Sequence, residues 1–568
     1  MKKANRLLAL LLVCIMLVAV VACNKDTGNT SSQQSGGGSS DSGSSGGGGD
    51  SSSGGSDSSG GSGSGGSSDS GSSSGSGSGG GGDSSGSSGG ASANEGRTLN
   101  IAVGQDSGTL NPLRMTGGFA FVPFYYMDNL FSIMEDGSYK WCVAENIEEI
   151  SEIHSTLYVR KGIKFSNGNP LTAEDVMFSM EQCAADPQFA LNVKAVDFVN
   201  TKVIDEYTID LWYTEFNAGQ EPGFPSMVIL DKESWDEAEM ARNPVGSGPY
   251  IVTDYVINSH VTLEAKEDYW QGAPEVKRIV LKVINEEAQI VNALEVGEVD
   301  IASVPISEVD YVKSLGYNVS MGGGYNLVTL FSMLPGNPLD SKEARYAMCY
   351  AIDRQSIADI LYNGLSTITD YPCSHMLLDF EERFLNMHDT YSIGYNPAKA
   401  KELAEQAGLV GKKIRIITNG SAIYNTTAEI VQSNLMDIGV DAEIVNYEQA
   451  TYFPTMMDAS NFEIAIFTPA TPVYLACDTI GMYLTFISLG WSGPDRDEYG
   501  RLSMGALTTY DLEARRGLLY DALQYFVDFC PWYGVCEVVN ASAMSKDVVV
   551  KARTFGGGYR VLDLGWAN

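Results

Sequence analysis

The sequence is short of basic residues and of histidine. It has 36 lysines and arginines against 71 aspartates and glutamates, which gives a formal net charge of −35, and it has only four histidines. Because nucleic-acid binding needs clustered basic side chains to neutralise phosphates, we expect no nucleic-acid partner. The histidines show no paired spacing of the HExxH kind, which argues against a metalloprotease site; they are His154, His260, His375 and His388.

Motifs that carry enzyme chemistry are also missing. The body after residue 96 has no CxxC, no G-x-S-x-G and no P-loop. The runs Gly322–Gly324 and Gly556–Gly558 lack the lysine and the strand–turn–helix frame of a phosphate site, so we interpret both as turns. Cys373 and His375 are near enough to share a soft metal, but no further ligands follow at a fixed spacing. We therefore predict no catalytic residues, no resident metal and no cofactor.

The cysteines are few and widely scattered, which argues against a disulfide framework. After Cys14 and Cys23, the seven that follow are Cys142, Cys183, Cys349, Cys373, Cys477, Cys530 and Cys536. Disulfide scaffolds are short, dense and even-numbered in cysteine, unlike this chain. We expect most of these residues to be buried as small hydrophobic side chains. The sequence leaves open whether Cys530 and Cys536 form a disulfide bond.

The N-terminus reads as a secretory signal. Basic residues precede an apolar run over residues 7–22, which ends at Ala22 before Cys23. The sequence Val20-Val21-Ala22-Cys23 resembles the lipobox of bacterial lipoproteins. That resemblance implies a signal peptide over 1–22 and acyl chains on Cys23, which would anchor the protein stably. The alternative is a signal-anchor helix, for which sixteen apolar residues are short.

Residues 23–96 form a tether composed almost wholly of Gly, Ser and Asp. Such a segment buries too little apolar surface to fold, and its mean reach is roughly 45–50 Å. Glycosylation of its serines is a second reading of the same composition. Together with the lipobox, the tether predicts a folded body on the extracytoplasmic face of a bacterial membrane, held there by its lipid.

The body after residue 96 alternates strand and helix signals. Leu99, Ile101 and Val103 alternate as in a strand. Farther on, residues 412–418 and 440–447 alternate in the same way and flank a helical pattern over 424–438. This order predicts a β-α-β unit with parallel strands, and hence an α/β body of more than one lobe. No second stretch of eighteen apolar residues follows the signal.

Six segments of the body, in this order, resemble the extracellular solute-binding proteins of family 5, which serve ABC importers of peptides and nickel. They are Thr109–Pro112, Phe165–Gly168 with Pro170–Val176, Gly246–Tyr250 (GSGPY), Ala293–Asp300 (ALEVGEVD), Ala344–Arg354 and Pro397–Gly408. Each match is weak alone, but six collinear matches over nearly the whole body are specific. We interpret all six as scaffold and none as the binding site.

The resemblance implies a type II periplasmic-binding-protein-like α/β fold. In that fold two lobes flank a cleft, and a third domain is inserted. The first lobe would combine residues 97–138, 245–333 and 537–568. The inserted domain would span 139–244, and the second lobe 334–536. The lobes of this family close on their ligand by a hinge motion.

The resemblance also implies where a ligand lies. Peptide binders of this family hold the peptide amine with a carboxylate in a late aromatic-rich loop, which here falls at about 467–491. Asp478 is the only acid there and comes later than the family pattern places it, so a helix N-cap before Thr479 is an equal alternative. The aromatic candidates for ligand contact are Phe119, Tyr125, Tyr424, Tyr474 and Trp491, for which core packing is the competing role.

We therefore expect a monomeric, lipid-anchored substrate-binding component of an ABC importer. It would capture an extracellular solute, in the first place an oligopeptide, between its lobes and deliver it to a membrane permease without covalent chemistry. An oligosaccharide or a small cationic solute is the alternative ligand. A receptor that senses a peptide instead of importing it is the alternative role.

Overall fold

The computed structural model describes residues 96–567, apart from 116–118, 370–373, 375–376, 385–386, 388–392, 470–473 and 487–489. The signal peptide, Cys23, the tether up to residue 95, Cys373 and His375 lie outside the described residues. The lipid anchor therefore stays a prediction. Within the described part of the chain, no helix is both long and apolar enough to span a membrane.

Eighteen strands are present in the described residues. They are β1 (Thr98–Val103), β2 (Phe131–Ile133), β3 (Tyr139–Trp141), β4 (Ala144–Ser151), β5 (His154–Val159), β6 (Lys202–Asp205), β7 (Thr208–Trp212), β8 (Tyr250–Val256), β9 (His260–Ala265), β10 (Arg278–Val283), β11 (Ile301–Val304), β12 (Asn318–Phe331), β13 (Lys413–Thr418), β14 (Asp441–Asn446), β15 (Ile464–Phe467), β16 (Trp532–Met544), β17 (Val548–Val550) and β18 (Leu564–Trp566).

Thirteen α-helices accompany these strands in the same part of the chain. They are α1 (Pro123–Tyr126), α2 (Ala173–Ala185), α3 (Glu237–Met240), α4 (Glu287–Glu295), α5 (Val309–Ser314), α6 (Lys342–Ala351), α7 (Arg354–Tyr362), α8 (Pro397–Gln406), α9 (Ala422–Asp437), α10 (Gln449–Met456), α11 (Ala476–Phe486), α12 (Pro494–Thr508) and α13 (Leu512–Phe529).

One ten-stranded mixed sheet organises the fold. Its order is β14-β13-β15-β12-β16-β11-β1-β10-β9-β8. The long antiparallel pair β12–β16 lies at its middle. Strand β15 pairs with the C-terminal end of β12, and β11 pairs with the C-terminal end of β16. Successive residues of β12 enter two different apolar clusters, Leu327 in one and Val328 in the other. The centre of the sheet is therefore buried on both faces.

The predicted β-α-β unit is confirmed. Strands β13 and β14 run parallel, in register from Lys413 with Asp441 to Thr418 with Asn446, and α9 connects them. Helices α2 and α8 each begin with a side-chain cap. The Asn396 side chain accepts from the Lys399 amide at the start of α8, and Thr172 and Asp175 form a capping box on α2.

A separate four-stranded antiparallel sheet has the order β4-β5-β7-β6 and lies inside the range predicted for the inserted domain. Helix α2 packs on it through Val176, Met180 and other buried side chains. The lobe and domain boundaries themselves stay a prediction.

The interpretation of Gly322–Gly324 as a turn is wrong. These glycines belong to β12, where the pairing with β16 breaks register between Gly322 and Tyr325. A run of glycine inside a strand marks a bulge or a close backbone approach as readily as a turn. The second run does form a turn, because Phe555–Gly557 is a short 3-10 segment with positive φ at Gly556 and Gly557.

Candidate functional site

A cavity of about 580 Å³ opens beside the middle of the large sheet. Its wall takes residues from β1, β11, β12 and β16, from the segment around α1, and from the stretch 553–562. Aromatic rings supply much of the lining, among them Phe124, Tyr125, Tyr269, Tyr474, Phe555 and Tyr559. Volumes of 300–1,000 Å³ with apolar walls and a few polar groups are typical of small-molecule sites.

Within the described residues, three charged side chains line this cavity: Asp128, Arg553 and Arg560. Arg560 is already neutralised, because its guanidinium donates to both carboxylate oxygens of Asp563, at 2.7 and 2.9 Å. Arg553 differs, since within the described part of the chain its guanidinium makes one hydrogen bond, from Nη1 to the Gly557 carbonyl at 2.8 Å. Arg553 therefore retains donors for an anionic group.

Asp128 is held inside a polar network on the cavity wall. It accepts from the Tyr269 hydroxyl at 2.7 Å and from the Trp270 indole at 3.1 Å, and Gln271 donates to the Tyr269 oxygen at 3.2 Å. Burial raises the pKa of Asp128, while these hydrogen bonds and Lys266 oppose the rise. The Asp128 carboxyl group is thus engaged by hydrogen bonds from its own neighbours, and these bonds hold this part of the cavity wall in place.

The glycine turn brings backbone close to the cavity. Thr554 donates its amide to the Gly558 carbonyl at 3.0 Å, which closes the turn. A Cβ on Gly322 of β12 would lie 2.9 Å from the Gly556 carbonyl oxygen. Glycine on both sides therefore allows two backbones to touch beside the cavity, a contact that a larger residue would prevent.

Two of the six predicted ligand residues line the cavity, Tyr125 and Tyr474. Tyr125 is almost fully buried and shares a side-chain hydrogen bond with Tyr559. The Tyr474 ring meets the Phe555 ring edge-on, with 5.3 Å between their centroids. The fold thus assembles an aromatic corner from residues that are far apart in the chain.

The other aromatic candidates lie elsewhere. Phe119 has no exposed surface and packs in the core next to β1. The Tyr424 hydroxyl accepts from the Thr468 amide at 2.8 Å, just after β15. Trp491 is stacked between Tyr499 and Phe529, with ring centroids 5.1 and 4.6 Å away. None of these three belongs to the lining of the described cavity.

Asp478 also lies outside that lining. Its carboxylate pairs with the Lys194 ammonium group. The alternative role, a cap on the helix before Thr479, is wrong. The carboxylate of Asp379 takes that place, accepting from the amides of Ala476 and Cys477 at the start of α11. The residue that caps α11 is thus almost a hundred positions upstream, which sequence spacing does not reveal.

Asp128 and Arg553 were missed at the sequence level. Asp128 follows the aromatic segment Phe124–Tyr126, and Arg553 precedes the glycine run at Gly556. Aromatic and glycine clusters next to a single charge are the signals that could have directed attention to both. Neither signal is specific, because most such charges are solvated surface groups.

The described histidines lie away from the cavity. His154 stacks on Trp212 and contacts Asp210, with 2.6 Å between Nε2 and Oδ1. His260 contacts both Ser259 and Asp254 at the exposed β8–β9 hairpin, 2.9 Å from each. This serine–histidine–aspartate chain lies outside the cavity lining. In the described residues no group of three or more His, Cys, Asp or Glu is placed to hold a metal.

The chain is similar to known proteins along most of its body. Residues 142–479 match the family described as bacterial extracellular solute-binding proteins, family 5 Middle. A nickel-binding protein NikA of Staphylococcus aureus is 24% identical over 360 residues, covering 62% of this chain and 70% of that protein. A di/tripeptide-binding protein of Pseudomonas aeruginosa is 24% identical over 333 residues, covering 52% of this chain and 61% of that protein.

Solved structures share the fold. The substrate-binding protein CtaP of an ABC transporter from Listeria monocytogenes superimposes with a TM-score of 0.73 at 20% identity. The match covers 83% of this chain and all of that one. The type II binding-protein architecture is therefore shown, and the predicted fold class is confirmed.

Proposed function

Because the chain belongs to the bacterial extracellular solute-binding proteins of family 5, we propose that it is the substrate-binding component of an ABC importer and captures a small peptide in the cavity at Arg553. The peptide would then be handed to a membrane permease. Cys23 would carry the lipid anchor on the extracytoplasmic face, and the protein would act as a monomer without covalent chemistry.

The observation that carries the peptide assignment is the pairing of Arg553 with aromatic rings in one cavity. A guanidinium with unused donors suits a carboxylate, which it can bind through two parallel hydrogen bonds. Rings such as Tyr474 and Phe555 suit a range of apolar side chains. The β12–β16 pairing breaks register between Gly322, a lining residue, and Tyr325. Main-chain groups there would suit a peptide backbone.

The charges of the lining disfavour a free cationic solute. Asp563 neutralises Arg560, and Tyr269 and Trp270 hold the Asp128 carboxyl, so the charge of the lining that retains unused hydrogen-bonding groups is the cationic Arg553. A cation would have to be desolvated against that field. An oligosaccharide remains the second candidate, because aromatic faces also suit sugar rings and the lining includes uncharged polar side chains such as Asn540 and Gln271.

The test combines one change in the protein with one change in the ligand and measures all four pairs. Di- and tripeptides with a free carboxylate, and the same peptides with an amidated C-terminus, would be titrated calorimetrically into the full chain and into Arg553→Ala. We expect the arginine variant to lose about ten- to hundred-fold in affinity for the free acid, because a charge-assisted bidentate contact is lost. The amidated peptide should bind both proteins equally weakly.

Arg501→Ala is the matched control, because Arg501 makes an exposed ion pair with Glu498 on α12. It should bind both peptides like the original chain. If free and amidated peptides bind the original protein equally well, Arg553 does not hold a carboxylate. Binding of a sugar alone would replace the peptide assignment by the second candidate.

The importer role has its own test. Deleting the cognate permease should abolish uptake while the purified protein still binds its ligand. A phenotype that is unchanged by the deletion would favour the sensing receptor.

A further inference from the structure

Two described cysteines of the body have their sulfur atoms in contact. The described cysteines are all buried and their thiols are free: Cys142, Cys183, Cys349, Cys477, Cys530 and Cys536. Among these six, Cys349 and Cys530 bring their sulfur atoms within 3.0 Å. A disulfide bond needs about 2.05 Å, so a movement of roughly 1 Å would join them. We propose that Cys349 and Cys530 form a disulfide bond in the exported protein.

The backbone of Cys530 supports this assignment independently. Cys530 ends α13 in the left-handed conformation, with φ of 55°. In the described part of the chain, two other non-glycine residues have positive φ, and both are asparagine, Asn258 and Asn363. Glycine and asparagine are the usual residues there, because a Cβ costs about 1 kcal/mol. A bond from its sulfur to Cys349 explains why a cysteine occupies this position despite the cost.

The two sulfur atoms are held in place by a buried arginine. Arg345 lies one turn before Cys349 on α6 and is almost fully buried. Its guanidinium donates to the carbonyls of Phe529 and Cys530 at 2.8 and 3.0 Å. The C-terminal end of α13 is thereby fixed to α6, so the approach of the two thiols does not depend on a flexible loop.

This pairing differs from the one left open by the sequence. The sulfur that meets Cys530 is that of Cys349, 181 positions upstream. Cys536 lies in β16, opposite Leu327 of β12. An extracytoplasmic location permits disulfides, which the reducing cytosol does not. Among the six described cysteines, oxidation would therefore select the pair whose sulfur atoms are in contact.

The chemistry is thiol–disulfide exchange with an external disulfide oxidant, such as oxidised glutathione or a protein dithiol oxidant. The thiolate of one cysteine attacks the oxidant and releases its first sulfur as a thiol. The second cysteine then attacks the mixed disulfide and releases the second sulfur. Two electrons pass to the oxidant and its two sulfurs take up two protons. Burial raises the pKa of the Cys349 thiol well above its ordinary value, so exchange is favoured during folding, before α6 and α13 are packed.

Peptide mapping of the full chain tests the bond directly. The protein would be exported by a bacterial host, purified without reductant, denatured with an alkylating agent and digested. We expect a cross-linked pair of peptides that contain Cys349 and Cys530, and its disappearance after reduction. Recovery of both cysteines fully alkylated, without reduction, would overturn the proposal.

Thermal unfolding gives a second measurement. A thiol reductant should lower the midpoint of the original chain by at least about 3 °C, because the bond closes a long loop of the unfolded chain. Cys349→Ala and Cys530→Gly should lose this response. The glycine variant is the sharper one, because it relieves the left-handed backbone: it should be less stable than the original chain without reductant and at least as stable with it. Cys183→Ala should keep the response, because Cys183 is buried and its sulfur contacts none of the other described cysteines.

Discussion

Glu221 shows how the fold changes the chemistry of a single residue. Burial raises its pKa from the ordinary 4.5 to about 7, and the neighbouring Glu149 carboxylate adds to the rise. The hydroxyls of Tyr139 and Tyr213 face the same region, and each has its own pKa raised, first by burial and then by Glu221. The folded protein thus holds a proton on Glu221 at a pH where the unfolded chain has released it.

The raised pKa of Glu221 predicts that the free energy of unfolding falls between pH 4.5 and 7. In that window the folded state binds more protons than the unfolded state, so the free energy of unfolding decreases as the pH rises. Allowing for partial exposure to solvent, the loss is on the order of 2 kcal/mol. Glu221→Gln should flatten the dependence and stabilise the protein at pH 8, as measured by thermal unfolding at pH 5 and 8.

Glu152→Gln, at an exposed position of the β4–β5 hairpin, is the control and should leave the pH dependence unchanged. An equal fall in stability for Glu221→Gln and for the original chain would contradict the assignment of the proton to Glu221.

At the residue scale, charged partners were the hardest feature to predict. The sequence singles out Asp478 as the only acid of its segment, but its partner Lys194 lies 284 positions away. Nothing in the sequence around Arg553 indicates that this arginine retains hydrogen-bond donors, whereas Arg560 is neutralised by Asp563. Such roles depend on which distant segments meet, and spacing along the chain does not encode that.

At the scale of elements, the glycines of β12 and the C-terminal turn form one contact. A Cβ at Gly322 would press on the Gly556 carbonyl oxygen, which is backbone and cannot rotate away. Gly322→Ala should therefore destabilise the protein by about 1–3 kcal/mol and weaken ligand binding at the adjacent cavity. Denaturant unfolding and calorimetry on the same variant would measure both effects.

Gly517→Ala is the matched comparison. Gly517 lies inside α13, and a Cβ there meets nothing within 4 Å. The substitution should stabilise the protein by about 0.5–1 kcal/mol, because alanine favours a helix. A Gly322→Ala variant as stable as the original chain would show that β12 and the turn separate freely.

Elements whose ends carry local signals can be recognised from the sequence. Asn396 before Pro397 marks the start of α8, Gly408 lies just past its end with positive φ, and β13–α9–β14 follows its hydrophobic pattern. The Gly322–Gly324 run was misread, because a flexible sequence fits a turn and a bulged strand equally well. Pairing with β16, more than two hundred residues later, decides between the two.

At the scale of the whole body, distant segments meet around Asp478. Lys194 pairs with Asp478, and Tyr510 donates to Glu149. The amide of Ala218 donates to the Leu507 carbonyl at 2.9 Å. These contacts join the range predicted for the inserted domain to the range predicted for the second lobe. If the lobes close on a ligand, this set of contacts would contribute to the closed form.

Asp478→Asn therefore distinguishes two roles for this residue. As a contact between segments, it should weaken peptide binding by roughly two- to five-fold, in line with a partly exposed ion pair. The loss should be the same for peptides with free and with acetylated amines. A loss confined to peptides with a free amine would assign Asp478 to amine capture, as the family resemblance implies. Glu174→Gln, which removes an exposed partner of Lys232, should leave affinity unchanged.

The overall architecture followed from six short motifs, because each marks a structural position of the family scaffold. The cavity did not follow, because its wall combines residues from near both ends of the body with Tyr474. Motifs that position the backbone are shared within a family, whereas the side chains that meet a ligand depend on how remote segments pack in each member.

Native mass spectrometry of the full chain, purified from its own membrane without added ligand, tests the central claim most directly. The account predicts a ladder of bound masses that match short peptides, released on denaturation and absent from Arg553→Ala. A single mass that corresponds to a sugar or to a metal complex would contradict it.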